Sequence, residues 1–190
     1  PGVSKEVLAC LDDEQVNVYR DLCNQLVMPG VANEKPDVVG ISIGTQMQLL
    51  AGLTFGKMIK ETFPQIHVVV GGNVITRLQE DLAKQEQFFT DVFDSAILYE
   101  GEHALLWLIE ALNGERGIAS VPNLIYRDAS GLHRSPEVYT EKTTALPLPD
   151  FDGLPLDRYF VPELIIPYLA TRGCYWGRCT LCDHGQGYFD

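Results

Sequence analysis

An α/β architecture, a parallel sheet covered by helices on both faces, is predicted by three features of this 190-residue chain. Short β-branched runs that end in glycine alternate with stretches of helical periodicity, the connections are short, and a strand-and-turn style takes over beyond Pro122. Runs that are apolar throughout suit strands buried on both faces. Their alternation with helices implies right-handed crossovers between parallel neighbours.

Residues 5–27 carry Val7, Leu8, Leu11, Val16, Val18, Leu22 and Leu26 among frequent charges, and read as one or two amphipathic helices. The first strand is expected over 37–44, Asp-Val-Val-Gly-Ile-Ser-Ile-Gly. A helix follows, with Leu49, Leu50, Leu53, Phe55, Met58 and Ile59 spaced mostly by three and four, and Pro64 stops it near Phe63. The second strand, 66–72, again ends in glycines, and a second helix is expected from Thr76 as N-cap to about Phe89. Ser95 to Tyr99 reads as a third strand, and a third helix opens at 100–102 and closes at Asn113-Gly114. Residues 123–127, the turn 128–131 and a returning strand from Leu132 form a hairpin at the sheet edge. Pro147, Pro149, Pro155 and Pro162 mark an extended linker, after which 165–171 resumes as a strand. The expected organisation is a helical segment over 1–36, an α/β domain over 37–142, a proline-rich linker over 143–164 and a further unit beginning at 165.

The composition narrows the function. Lys plus Arg number 14 against 26 Asp plus Glu, a net charge of −12, which opposes a nucleic-acid grip because that needs clustered basic charge. With 46% hydrophobic and 21% charged residues the chain is an ordinary globular one. It has no run of about 18 apolar residues, so no membrane partner is expected. It begins at Pro1 rather than Met, as an excised piece of a longer chain would.

Three loops fall at the C-terminal ends of the expected parallel strands, where open α/β sheets form their ligand crevice. The candidates are Ser42, Gly44 and Thr45 after the first strand, Gly71, Gly72 and Asn73 after the second, and Glu100, Gly101 and Glu102 after the third. Glycine lets backbone approach a ligand, and helix starts offer N–H donors; the same glycines equally suit tight turns, and the two carboxylates suit the helix dipole. Neither Gly-x-Gly-x-x-Gly nor a P-loop sequence occurs, so dinucleotide and nucleoside-triphosphate readings lose their main support.

The sharper signal is Arg172-Gly-Cys-Tyr-Trp-Gly-Arg-Cys-Thr-Leu-Cys-Asp-His184, in which Cys174, Cys179 and Cys182 stand in a C-x4-C-x2-C array. Three thiolates on one loop can hold three irons of a 4Fe-4S cluster and leave the fourth open to a substrate or cofactor. A zinc site of these cysteines with His184 and plain structural cysteines stay open as lesser readings, because zinc's second ligand pair normally comes from a more distant segment. An odd, clustered set of five cysteines opposes a secreted disulfide framework. Cys10 and Cys23 read as small buried hydrophobes. His67 reads as a core-edge residue, His103 as solvent-exposed, and Tyr175 and Trp176 as buried packing; Asp150, Asp152 and Asp157 read as solvated linker charges.

In ordered pieces the chain resembles radical S-adenosylmethionine enzymes with an N-terminal cobalamin-binding-type domain. The pieces are 37–42 (Asp-Val-Val-Gly-Ile-Ser), 70–72 (Val-Gly-Gly), 99–102 (Tyr-Glu-Gly-Glu), 122–126 (Pro-Asn-Leu-Ile-Tyr), 146–151 (Leu-Pro-Leu-Pro-Asp-Phe) with 156–159 (Leu-Asp-Arg-Tyr), and 171–182 with its cysteines. The resemblance implies a Rossmann-like cobalamin-type domain followed by the first strand and cysteine loop of a TIM-like barrel. It also implies a 4Fe-4S cluster on Cys174, Cys179 and Cys182, S-adenosylmethionine on its open iron, and one-electron cleavage for radical chemistry such as methyl transfer. A small-molecule or peptide substrate, a reductant such as flavodoxin or ferredoxin, and a cytoplasmic location follow from the same resemblance.

Departures from the family pattern are specific. The family's common spacing is C-x3-C-x2-C, one residue shorter before the second cysteine, and Leu181 stands where an aromatic residue is often found. The Asp-x-His-x-x-Gly pattern, whose His replaces cobalamin's lower axial ligand, is absent, and 1–36 offers no strand where the resemblance expects one or two. Two further readings compete: a cobalamin or other small-ligand module whose cysteines matter little, and a zinc-stabilised domain. A barrel needs about 200 residues or more, and the sequence stops shortly after Cys182, so this stretch alone is expected to be inactive. Incubated with S-adenosylmethionine and a strong reductant, it should release no 5′-deoxyadenosine; release above a protein-free control would refute the expectation.

Overall fold

The computed structural model describes residues 2–166 and 171–179. The chain divides into two compact units, 1–140 and 141–190. The strand expected over 165–171 lies mostly outside the described residues, and Cys182, Leu181 and His184 lie outside them entirely.

The first unit opens with helices α1 (Gly2–Asp12) and α2 (Tyr19–Leu22), a π-helical stretch (Cys23–Val27) and α3 (Met28–Glu34). Cys23 is fully buried and burial pushes its thiol up to about 11, which suits a small hydrophobe rather than a reactive group. Asn17 ties this segment to the sheet's covering layer: its buried Nδ2 donates to the Leu11 carbonyl at 3.3 Å and to Thr54 Oγ1 at 2.9 Å.

The sheet has five strands in the order β1 (Val38–Ser42), β2 (His67–Gly71), β3 (Ser95–Ile97), β4 (Leu124–Asp128) and β5 (Gly131–Arg134). The first three are parallel, whereas β4 runs antiparallel to β3 and β5 antiparallel to β4. The sheet is therefore mixed, and the hairpin read from 123–134 forms its last two strands. In the turn, the Ser130 hydroxyl and N–H both donate to Asp128 Oδ1 at 2.7 Å and, with His133, hold that exposed carboxyl down to about 2.

Because β1, β2 and β3 step across the sheet in one direction, their right-handed crossovers place α4 (Leu49–Thr62), α5 (Asn73–Arg77), α6 (Gln79–Leu82) and α7 (Glu86–Asp91) on one face. Leu53, Ile59, Ile75, Leu82, Phe88 and Phe89 there pack on Val68, Val70, Ala96 and Ile125. Helix α8 (Glu102–Leu112) lies on the other face, where Ala104 and Leu108 pack on Val69, Ile97, Leu124 and Tyr126.

The second helix differs from its expected form. It starts at Asn73, with Gly72 as N-cap, and is broken into α5, α6 and α7, so Thr76 sits inside α5 rather than capping it. Its hydroxyl bonds back to the Gly72 carbonyl four residues earlier at 3.3 Å, a habit of Thr in helices that sequence periodicity does not reveal. At the opposite end of the sheet, His67 Nε2 lies 2.8 Å from Ser95 Oγ, and burial chiefly lowers the imidazole's pKa, with Lys60 adding to the effect and Asp94 opposing it. No described helix is long and apolar enough to cross a membrane.

Candidate functional site

The crevice follows from how little of one sheet face α8 covers. It packs over β3 and β4 and reaches Val69 of β2, leaving open the C-terminal ends of β1 and β2, where Gly40 and Ser42 are exposed. Register places Gly40 beside Val69 and Ser42 beside Gly71, so two of the four positions on this shelf have no side chain beyond hydrogen. The result is a smooth apolar floor, walled by Ile97 and Leu105 and closed at the strand ends by Gly72, Tyr99, Gly101 and Glu102. Its cavity of about 500 Å³ falls within the size range of small-molecule sites.

Of the nine loop residues read as ligand candidates, Ser42, Gly71, Gly72, Gly101 and Glu102 line this cavity. Gly44, Thr45, Asn73 and Glu100 do not. Thr45 forms a reciprocal capping box with Gln48, whose Oε1 accepts from the Gly44 and Thr45 N–H groups at 3.0 and 3.1 Å. Asn73 is the first residue of α5. Glu100 precedes α8 rather than capping it from within, and is 7% exposed. Sequence reasoning missed Gly40, Val69, Tyr99 and Leu105. The alternation along β1 and β2 could have yielded the first two; Tyr99 depends on a backbone turn that no pattern announces.

The first two loops are tied together by their backbones, and the third is held by side chains. Ile43 donates its N–H to the Gly71 carbonyl at 2.8 Å and accepts from Val74 N–H at 3.1 Å. Gly72 adopts φ +98°, and a Cβ placed there would stand 2.7 Å from the Ile43 carbonyl oxygen. Tyr99 takes the left-handed region at φ +57°, uncommon for a bulky residue. Its N–H donates to Thr76 Oγ1 at 2.7 Å and its phenol to Gln79 Oε1 at 3.0 Å. Asn123, at φ +59°, holds the next residue by donating from Nδ2 to the Glu100 carbonyl at 3.2 Å.

His103 is half-buried rather than solvent-exposed, because its ring packs against Tyr139 and Trp107 at centroid distances of 4.8 and 6.0 Å. None of His67, His103 and His133 lines the crevice. Among the described residues Glu102 is the one charged group in its lining, and no cationic side chain stands there to hold a phosphate.

In the second unit, Cys174 and Cys179 are both free thiols, and the third cysteine of the array lies outside the described residues. Gly173 and Gly177 take φ +81° and +57°, turning the loop tightly about Cys174. The Gly177 N–H lies 3.4 Å from Cys174 Sγ, and this donor, followed by Trp176 N–H, lowers the thiol's pKa. Backbone donors aimed at sulfur favour the thiolate form that metal ligation requires. Among the described residues no group of three His, Cys, Asp or Glu is gathered that could hold a metal ion. Tyr175 and Trp176 are 82% and 58% exposed rather than packed, because the tight turn throws both rings outward.

No family model matches the chain. It is 26% identical over 180 residues to an uncharacterized methyltransferase of Pyrococcus horikoshii, covering 90% of this chain and 38% of that protein. It is 29% identical over 171 residues to 4′-phospho-dehydrooxetanocin synthase of Priestia megaterium, covering 85% of this chain and 21% of that one. The chain thus spans well under half the length of these curated relatives. Among solved structures it is similar to the apo form of the cobalamin-dependent S-adenosylmethionine radical enzyme OxsB, with a TM-score of 0.61 and 23% identity over 93% of this chain and 24% of that one. The last likeness establishes the fold.

Replacing Gly72 by Ala sets a Cβ against a carbonyl that already accepts a hydrogen bond, on a backbone no L-residue favours. We expect Gly72→Ala to lower the Tm by roughly 5–10 °C, from a strain of about 3 kcal/mol. Gly101→Ala is the control, since φ is −98° there and a Cβ would meet nothing within 4 Å. Equal Tm values for the two variants would contradict the packing described.

Proposed function

We propose that this chain is the cobalamin-type domain, with the cluster-binding loop, of a radical S-adenosylmethionine enzyme whose chemistry is methyl transfer or a related modification. The observation that carries the reading is the open shelf at the ends of β1 and β2: a smooth, apolar, glycine-lined floor at the C-terminal ends of parallel strands suits one face of a planar ligand. The OxsB-like fold and the two enzyme relatives support it.

A cavity of this size takes a part of a corrinoid rather than the whole. The residues present fit that role through shape: Gly40 and Gly71 admit close approach, Val69, Ile97 and Leu105 exclude water, and Ser42 and Glu102 offer polar contacts at the rim. Among the described residues the crevice lining contributes surfaces rather than imidazole groups. On the loop, Cys174 and Cys179 with Cys182 would hold a 4Fe-4S cluster, the Gly177 N–H stabilising the sulfur of the first. Once bound, these groups supply the electron and the methyl or adenosyl chemistry; the described residues orient them and limit access of water.

Anaerobic reconstitution with iron and sulfide tests the reading. About four irons per chain should be retained, with a broad absorbance near 400 nm, and both should vanish when Cys174, Cys179 and Cys182 are changed to Ala. Stoichiometric zinc without iron would instead identify a structural metal site and overturn the cluster assignment.

A further inference from the structure

We propose that Thr76 is the positioning residue of the crevice: its one hydroxyl fastens the Gly72 turn to the Tyr99 turn, so that two walls of the site are held as a unit before ligand arrives. The inference rests on the crevice being the corrinoid-holding site.

Thr76 touches neither the shelf nor the cavity. It is 1% exposed, on the helix that leads away from the crevice, and a buried hydroxyl there has only to satisfy itself. Bonding back to the helix would do that. Thr76 Oγ1 does so, donating at 3.3 Å to the Gly72 carbonyl that also accepts the Thr76 N–H at 3.1 Å, and it serves a second partner by accepting the Tyr99 N–H at 2.7 Å. Both partners belong to lining residues with positive φ, +98° at Gly72 and +57° at Tyr99. The hydroxyl therefore meets the backbone where the chain is turned into a sparsely populated conformation. Such outliers persist only where their surroundings hold them, and they cluster at ligand sites.

The same short helix also holds the first loop. Val74 N–H donates to the Ile43 carbonyl at 3.1 Å, two residues before Thr76. Helix α5 is thus the common anchor of all three crevice loops: Ile43 hangs from Val74, Gly72 is its N-cap, and Tyr99 hangs from Thr76. The first two ties keep backbone hydrogen bonds whatever stands at 76, whereas the last is made by the Thr76 side chain alone, so it is the one that substitution there can cut.

Without the hydroxyl, the Tyr99 N–H is left beside an apolar side chain and the residue gains by leaving the left-handed region. That moves the Tyr99 end of the crevice wall. A ligand must then restore the arrangement at its own expense, which weakens affinity with no contact to the ligand lost.

Thr76→Val, the same shape without the hydroxyl, and Thr76→Ser, the hydroxyl without the methyl, separate positioning from packing. Aquacobalamin affinity is read by absorbance titration, and exchange of the Tyr99, Glu100 and Gly101 amides by hydrogen–deuterium exchange on the ligand-free chain. The proposal predicts that Thr76→Val keeps its fold but binds about tenfold more weakly, as for a buried donor left without its acceptor. Its Tyr99 amide should exchange faster, and Thr76→Ser should restore both readouts. Wild-type affinity and exchange in Thr76→Val would overturn it, as would equal losses in the Val and Ser variants. If the wild-type chain binds no cobalamin, the corrinoid reading fails by itself. The tie is then decided by exchange alone: faster exchange in Val with recovery in Ser sustains it, and unchanged exchange overturns it.

Discussion

The closeness of Gly72 to the Ile43 carbonyl sets the geometry on which the crevice depends. A hydrogen atom is all that fits between the second loop and the first, since a Cβ there would lie 2.7 Å from the oxygen. That contact lets the end of β1 donate to Gly71 and receive from Val74, so two strand ends and a helix start close into one turn of backbone. The third loop joins through Thr76, and Asn123 steadies it from the hairpin side. Each loop alone is a short connection between a strand and a helix; joined, they form one rim.

The position of the rim comes from topology. Successive right-handed crossovers in one direction put four helices on one face, so cover for the opposite face has to come from the chain beyond β3. Helix α8 does this over β3 and β4 and onto Val69 of β2, and the open part that remains, at the C-terminal ends of β1 and β2, is the shelf. Its emptiness at Gly40 and Gly71 keeps it smooth, and among the described residues Glu102 is its one charged lining group. No cationic side chain stands in its described lining.

The fold was legible in the sequence where burial dictates residue type. Val68, Val69 and Val70 could be read as a strand because a parallel strand faces core on both sides, and Asp128 to Gly131 could be read as a turn from its own chemistry. The breaks within residues 73–91 were not legible, because α5, α6 and α7 are separated by packing against the sheet rather than by Gly or Pro. For the site, the sequence located the loops but not their members. Ser42, Gly71, Gly72, Gly101 and Glu102 line the cavity, while Thr45 had a capping partner three residues on that was visible all along. Tyr99 escaped notice since a left-handed tyrosine is sustained by Thr76 and Gln79, residues distant in sequence. The exposure of Trp176 was missed for the opposite reason: an aromatic residue between two glycines suits core packing and a solvent-facing turn alike.

The most direct measurement of the central claim is amide chemical-shift perturbation on the isotopically labelled chain titrated with aquacobalamin. The account predicts shifts concentrated at Gly40, Ser42, Gly71, Gly72, Tyr99 and Gly101, with the amides of the β4–β5 hairpin turn left in place. Saturable shifts elsewhere that spare these residues, or no shifts at all, would contradict it.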